Sequence, residues 1–240
     1  MAKASGSSSP GGSARVVRTG GLLWLVAAVE FFLGMAVTQI GWDLLRSGST
    51  PPYSLLSNFI SDLGAVHCGT LDSRVICSPW HEVFNVSIVL FGLLVLAGAL
   101  LVREGFPGGR VRDVGIVLLL LGSAGAIGVG LSPEDVNRTV HTASALVAFV
   151  SGNLGVVVVG LAGLRQPGRH LREIYSVLSG AVGLVAVGLF AAGTYGPLQV
   201  GGMERLILAP VLLWAAVEGV LLLRYVPPQS SPPSATAAGR

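Results

Sequence analysis

Charge is scarce in this sequence: Asp, Glu, Lys and Arg make up 11% of its 240 residues, against 52% that are apolar. A water-soluble domain cannot hide that much apolar surface under so little polar cover. The short apolar–polar alternation of an outer-membrane barrel is missing too, which leaves helices as the only spanning elements. No polar stretch is long enough to fold as a separate soluble domain. Nothing resembles a nucleic-acid module, so nucleic acid is not an expected partner. Cysteine is limited to Cys68 and Cys77, and no HExxH or HxxxH pattern fixes the geometry of a metal site.

What is present is a series of apolar runs long enough to cross a hydrocarbon core of roughly 30 Å. They predict six transmembrane helices over Leu22–Trp42, His81–Val102, Val114–Leu131, Val140–Leu164, Ile174–Tyr195 and Leu206–Leu223. The expected fold is therefore an all-α polytopic bundle at 21–224, with a long outer loop at 43–80. Residues 1–20 and 225–240, rich in Gly, Ser, Pro and Ala, read as disordered cytoplasmic tails. The first span is long, carries Glu30 and lacks a convincing cleavage site, so it reads as a retained helix rather than a signal peptide.

Orientation follows from the basic residues. Lys3, Arg15, Arg18, Arg103, Arg110, Arg112, Arg165, Arg169, Arg172, Arg224 and Arg240 fall on one side of the six spans, and only Arg46, Arg74, Arg138 and Arg205 on the other. That bias puts both termini in the cytoplasm and the loop 43–80 outside a plasma membrane. The outer side also holds Asp43, Asp62, Asp72, Glu82, Glu134, Asp135 and Glu204, so the formal +3 charge conceals an acidic outer face and a basic inner one. Cys68 and Cys77 share this outer loop, where oxidation is permitted, and their separation allows the chain to turn back into a disulfide. Free or metal-binding thiols are the alternative, without CxxC spacing to support them.

Three polar clusters lie at the outer level. In SNFISDLG, Asn58, Ser61 and Asp62 fall on one face of a short amphipathic helix or re-entrant turn, with Gly64 as its cap. In WHEVFN, His81 and Asn85 share a helical face behind a possible Ser78 cap, and Glu82 suits the first turn. In LSPEDVNRTVH, Ser132 to Asp135 read as a turn, and Asp135 is free to ligate, to orient a histidine or to cap. His141 enters the fourth helix there, and Arg138 is placed to bind a head-group phosphate.

Asp62, His81, Asp135 and His141 are the candidate catalytic groups, and Ser61, Asn85 and Arg138 the candidate head-group binders. His81, His141 and Asp62 would be a sufficient donor set for zinc, whereas the plainer role of both histidines is interfacial hydrogen bonding. Within the bilayer Glu30, Asn153 and Glu218 are the costly polar residues, and no Lys or Arg is expected at the depth of the two glutamates. Glycines at 122, 125, 128, 130, 180, 183, 188 and 193 read as helix-packing positions.

SNFISDLG, His81 with Asn85, and the SPEDVNRTVH turn resemble the bacterial and archaeal six-span membrane family called domain of unknown function 998, over roughly residues 22 to 224. The resemblance carries over at Ser61, Asp62, Leu63, Gly64, His81, Asn85, Pro133, Asp135 and His141. Ser132 stands where an aromatic residue is expected. A more distant similarity is to the eukaryotic group containing lipid-remodelling and autophagy-modulating membrane proteins, whose first luminal loop carries a related Ser-Asp element. The resemblance implies a fold and no reaction.

The expected function is that of a membrane protein with an outer-leaflet polar pocket that binds or hydrolyses a lipid. In the hydrolase version, a histidine or zinc activates water. The alternative is a non-enzymatic accessory or scaffold subunit, partnered by other membrane proteins, whose polar clusters lock the loop to the bundle. A proton-coupled transporter using Glu30, Glu218 and Asn153 is a third reading, without the broken-helix pair that many transporters use.

Overall fold

A computed structural model describes residues 10–46, 50–168 and 170–227. Its six long helices are α1 (Pro10–Leu45), α2 (His81–Leu101), α3 (Arg110–Leu131), α4 (Arg138–Leu164), α5 (Leu171–Ala191) and α6 (Gln199–Leu223). All six are long and apolar enough to cross a membrane. The predicted spans are each found, with ends moved by a few residues except at α1 and α6. Each helix packs on its neighbours in sequence, and α1 against α6 closes the ring, while α4 and α6 touch only lightly across its middle.

The main departure is the start of α1. Residues 10–20, expected in a disordered tail, are its first turns. Composition misleads there because Val17 is buried in an aromatic-rich cluster with Trp24, Phe106 and Trp214. Arg18 also donates to the Tyr225 carbonyl at 3.0 Å, which ties both ends of the bundle's chain to one face, here called the terminal end. At about 1.5 Å per residue α1 is far longer than a hydrocarbon core. The tail segments 1–9 and 228–240, with Lys3 and Arg240, and also Arg169, lie outside the described residues.

Glycine sets how closely α3 and α4 approach. A Cβ on Gly125 would lie 2.7 Å from the Ser144 carbonyl, and one on Gly122 would lie 2.9 Å from the Gly152 Cα, so these crossings admit no side chain. Gly188 differs from the expected packing role, because open space surrounds it. Gly193 ends α5 in the left-handed region at φ +68°, a conformation that suits a helix C-terminus.

The loop between α1 and α2 covers the other end, here the loop end. It holds a buried 3₁₀ turn, Ser61–Gly64, and a hairpin of β1 (Gly69–Leu71) and β2 (Arg74–Ile76). Asp72 and Ser73 both have positive φ, as a tight two-residue hairpin turn requires. The expected disulfide, Cys68–Cys77, closes the base of the hairpin one step beyond the Gly69–Ile76 pair.

Candidate functional site

The loop is seated by hydrogen bonds from every side. The Tyr53 N–H donates to Asp43 at 2.9 Å and the Tyr53 hydroxyl to the Phe59 carbonyl at 2.8 Å. On α6, the Gly201 N–H donates to the Leu56 carbonyl at 2.7 Å, and Arg205 donates to the Asn58 carbonyl at 2.9 Å. A Cβ on residue 201 would collide with that Asn58 carbonyl. Glu204 accepts from the Ile60 N–H. These bonds answer the backbone groups that a buried irregular segment would otherwise leave unpaired.

At the centre lies a charged knot. Asp62 is 0% exposed and accepts from Asn58 Nδ2 and the Phe59 N–H, each at 2.9 Å. Arg74, on the hairpin, grips both of its oxygens at 3.0–3.3 Å and reaches Glu134 at 3.5 Å. The guanidinium also sits 4.0 Å from the centre of the Phe59 ring. The Ser61 hydroxyl donates to Glu134 at 2.9 Å. Burial, and then the hydrogen bond and charge of Asp62, push the Glu134 carboxyl up to about 8.

Asp62 and Ser61 lie together at the loop end with Arg74, Glu134 and Glu204, which the sequence does not single out as site residues. A signal existed for Arg74: a carboxylate inside SNFISDLG can be buried only with a cation, and Arg74 is the nearest one that follows in the same loop.

The other candidate residues disperse. Asp135 does orient a histidine, but that histidine is His67, whose Nδ1 lies 2.8 Å away and whose N–H donates at 2.7 Å. Asn85 donates to the Gly64 carbonyl at 2.9 Å. Gly64 is thus a point of close approach to Asn85, and the extended Ala65 is what ends its turn. Ser78 does not cap α2; its hydroxyl donates to the Leu63 carbonyl.

His81 Nδ1 faces the Ser78 carbonyl at 3.0 Å and His141 Nδ1 the Ser132 carbonyl at 2.9 Å. Since a carbonyl only accepts, Nδ1 carries the hydrogen in both. Arg138 forms a two-bond pair with Asp72 on the rim. Among the described residues no three His, Cys, Asp or Glu side chains converge as a metal set. Both Asp62 oxygens are held by Arg74, and His141 lines a cavity whose lining residues do not include His81.

That cavity, of about 480 Å³, opens under the hairpin between α4, the end of α5 and α6. Its polar wall includes Asp72, Arg74, Glu134, Arg138, His141 and Glu204, and its apolar wall Phe59, Ala145, Phe149, Phe190 and Val200. Two smaller apolar spaces of about 50 Å³ each continue inward. The upper one shares Ser61, His141, Ala145, Phe149 and Glu204 with the mouth, and the lower one shares Phe149, Ala148 and Leu208 with the upper. The lower space ends at Asn153, which joins α4 to α6 by donating to the Ile207 carbonyl at 3.2 Å. Asn153 Oδ1 is buried there with no hydrogen-bond partner among the described residues.

The two intramembrane glutamates have separate partners. Glu30 accepts from the Ser87 hydroxyl at 3.0 Å across the α1–α2 seam. Glu218, expected to lack a cation, is paired with Arg172 at 2.8–3.0 Å. The expectation failed because Arg172 opens α5 and reaches along it to the α6 turn bearing Glu218. There its guanidinium also donates to the Gly105 carbonyl at 3.2 Å and lies 4.5 Å from the Phe106 ring centre.

Six apolar helices, a disulfide-closed loop and a polar chamber beneath it define a polytopic helical membrane protein. The chain matches the family described as "Protein of unknown function (DUF998)" over residues 32–221, and it belongs to that family. No curated protein and no solved structure matches it.

Proposed function

We propose that this protein binds a membrane lipid at its loop end, with the headgroup under the hairpin and an acyl chain running inward between α4 and α6. One observation carries the reading: the polar mouth shares lining residues with the upper of two small apolar spaces, and the upper with the lower, so that polar and apolar cavities follow one another from the rim to Asn153. That gradient matches an amphiphile, and sites of this kind are mostly apolar with a few convergent polar groups. The excess of arginine at the terminal end supports placing the loop end outside a plasma membrane, with both termini in the cytoplasm.

Lipid hydrolysis, with or without zinc, has fewer residues to draw on than lipid binding. Asp62 and Asp135 spend their oxygens on the loop, so His141, Glu134 and Glu204 are the groups in the cavity wall that would carry acid–base chemistry. The second reading, an accessory or scaffold subunit, is favoured by the same anchoring bonds, because they hold the loop as a fixed surface. Proton-coupled transport draws no support from Glu30 and Glu218, which sit on different helix pairs.

Ala145 lines both the mouth and the upper throat, so Ala145→Trp should fill the passage. Native mass spectrometry of wild type in a mild detergent is expected to show one retained lipid per chain, and the variant should lose at least ten-fold of it while eluting as a folded monodisperse peak. Equal lipid retention by both proteins would rule out this cavity as the binding site.

A further inference from the structure

The mouth of the cavity has an unusual balance of polar groups for a phospholipid site. Its two guanidiniums are already matched: Arg74 by Asp62 and Glu134, and Arg138 by Asp72. Each cation thus has its own carboxylate, Asp62 behind the wall and Asp72 on the rim, and Glu134 and Glu204 add two further carboxyl groups to the lining. A phosphate entering there would meet no unmatched cation.

The atoms left over are of a different kind. His141 donates from Nδ1, which leaves Nε2 as an acceptor with no bond among the described residues. Glu204 takes the Ile60 N–H on Oε2, and its Oε1 is likewise unbonded. The hydroxyls of Thr142 and Tyr195, also in the lining, have no hydrogen-bond partner among the described residues. These are mostly acceptors awaiting donors, set beside Phe59 and Phe190, whose rings pack 5.9 Å apart. Hydroxyl groups supply donors without charge, and the apolar faces of a sugar or glycerol stack well on aromatic rings.

Resting on the lipid reading above, we propose that the bound lipid carries an uncharged, hydroxyl-rich headgroup, a glycosyl unit on a diacylglycerol, rather than a phosphate. His141 and Glu204 hold its hydroxyls at the top of the throat, Thr142 and Tyr195 bind it from the rim, and the Arg74 and Arg138 pairs form the wall. Recognition on this basis is insensitive to salt, because no ion pair forms between protein and ligand.

The test reconstitutes full-length protein, purified in a non-glycosidic detergent, into nanodiscs. The discs hold equal amounts of monoglucosyl diacylglycerol, diacylglycerol, phosphatidylglycerol and phosphatidylethanolamine with matched chains. Lipid released with the protein is then quantified by mass spectrometry. The expected result is at least ten-fold enrichment of the glucosyl lipid over diacylglycerol and phosphatidylglycerol, unchanged between low and high salt; enrichment of diacylglycerol instead would overturn the headgroup assignment. Excess free glucose or glycerol should not displace it, since the throat binds the chains; displacement by either would overturn the lipid form of the inference.

His141→Gln and, separately, Thr142→Val should each cut the enrichment of the glucosyl lipid over phosphatidylglycerol at least five-fold while eluting as folded monodisperse peaks. Thr142→Val serves as the second variant should His141→Gln fail to fold. Enrichment of phosphatidylglycerol, or of the ammonium-bearing phosphatidylethanolamine, would overturn the headgroup assignment while sparing the lipid reading. No enrichment of any lipid, together with identical retention by wild type and Ala145→Trp, would remove both.

Discussion

Replacing Arg74 with alanine is expected to destabilise the protein more than any other single change at the loop end, by about 3–5 kcal/mol. Asp62 is 0% exposed, and the Arg74 side chain is 13% exposed. Removing the guanidinium therefore leaves a carboxylate with no cation in a region closed to water. Its remaining donors are Asn58 Nδ2 and the Phe59 N–H, too few to replace hydration. The loss would spread, because the same guanidinium joins the hairpin to Glu134 in the α3–α4 connection. Arg138→Ala is the matched control, since its partner Asp72 is on the rim and both side chains are well exposed; an exposed pair is worth about 0–1 kcal/mol. Thermal unfolding in detergent should show a large drop for Arg74→Ala and little change for Arg138→Ala. Arg74→Ala combined with Asp62→Asn should recover part of the loss. Similar drops for the two arginine variants would show that Asp62 is not the buried, dependent charge described here.

A second large effect is expected from pH, with Glu134 as its source. Its carboxyl is pushed up to about 8 in the folded protein from its ordinary 4.5, first by burial and then by Asp62, with Ser61 and Arg74 opposing. The folded state thus keeps a proton that the unfolded chain releases. The stability this provides is complete below about 4.5, declines through the interval up to about 8 and is level above it. Within that interval the slope approaches one proton, or about 1.4 kcal/mol per pH unit. Glu134→Gln, which stays uncharged and retains a donor, should remove most of the slope and be more stable than wild type at pH 8. Unfolding midpoints between pH 5 and 8 measure this directly. A wild-type midpoint that rises with pH, or a slope unchanged in the variant, would contradict the assignment.

Much of the fold was legible because membrane solvent imposes few rules. Helices such as His81–Leu101 begin and end within one or two residues of where their apolar runs do, and two cysteines in one loop left a single intramolecular pair to form. The start of α1 was not legible, since a Gly/Ser-rich segment is helical only through tertiary contacts such as those of Val17 and Arg18. The partner of Glu218 was hidden for a related reason: Arg172 sits at a helix end, and its reach along the helix cannot be read from span boundaries.

At the loop end, the polar residue types were legible and their pairings were not. Asp135 and His141 are close in sequence, yet Asp135 turns to His67 in the loop. Asp62, Arg74 and Glu134 come from three separate segments that only the folded loop brings together. Spacing along a chain reports neighbours on one helix, and this site is built across a hairpin, a 3₁₀ turn and an interhelical connection.

Lipid binding at the loop end is tested most directly by photo-crosslinking with a diacylglycerol carrying a diazirine midway along one chain, followed by mapping of the modified peptides. Binding in the cavity predicts labels on the throat, at Ala145, Phe149 and Leu208, lost in Ala145→Trp. Labels confined to lipid-facing positions such as Leu33, Val86 and Leu178, and identical in the variant, would contradict it.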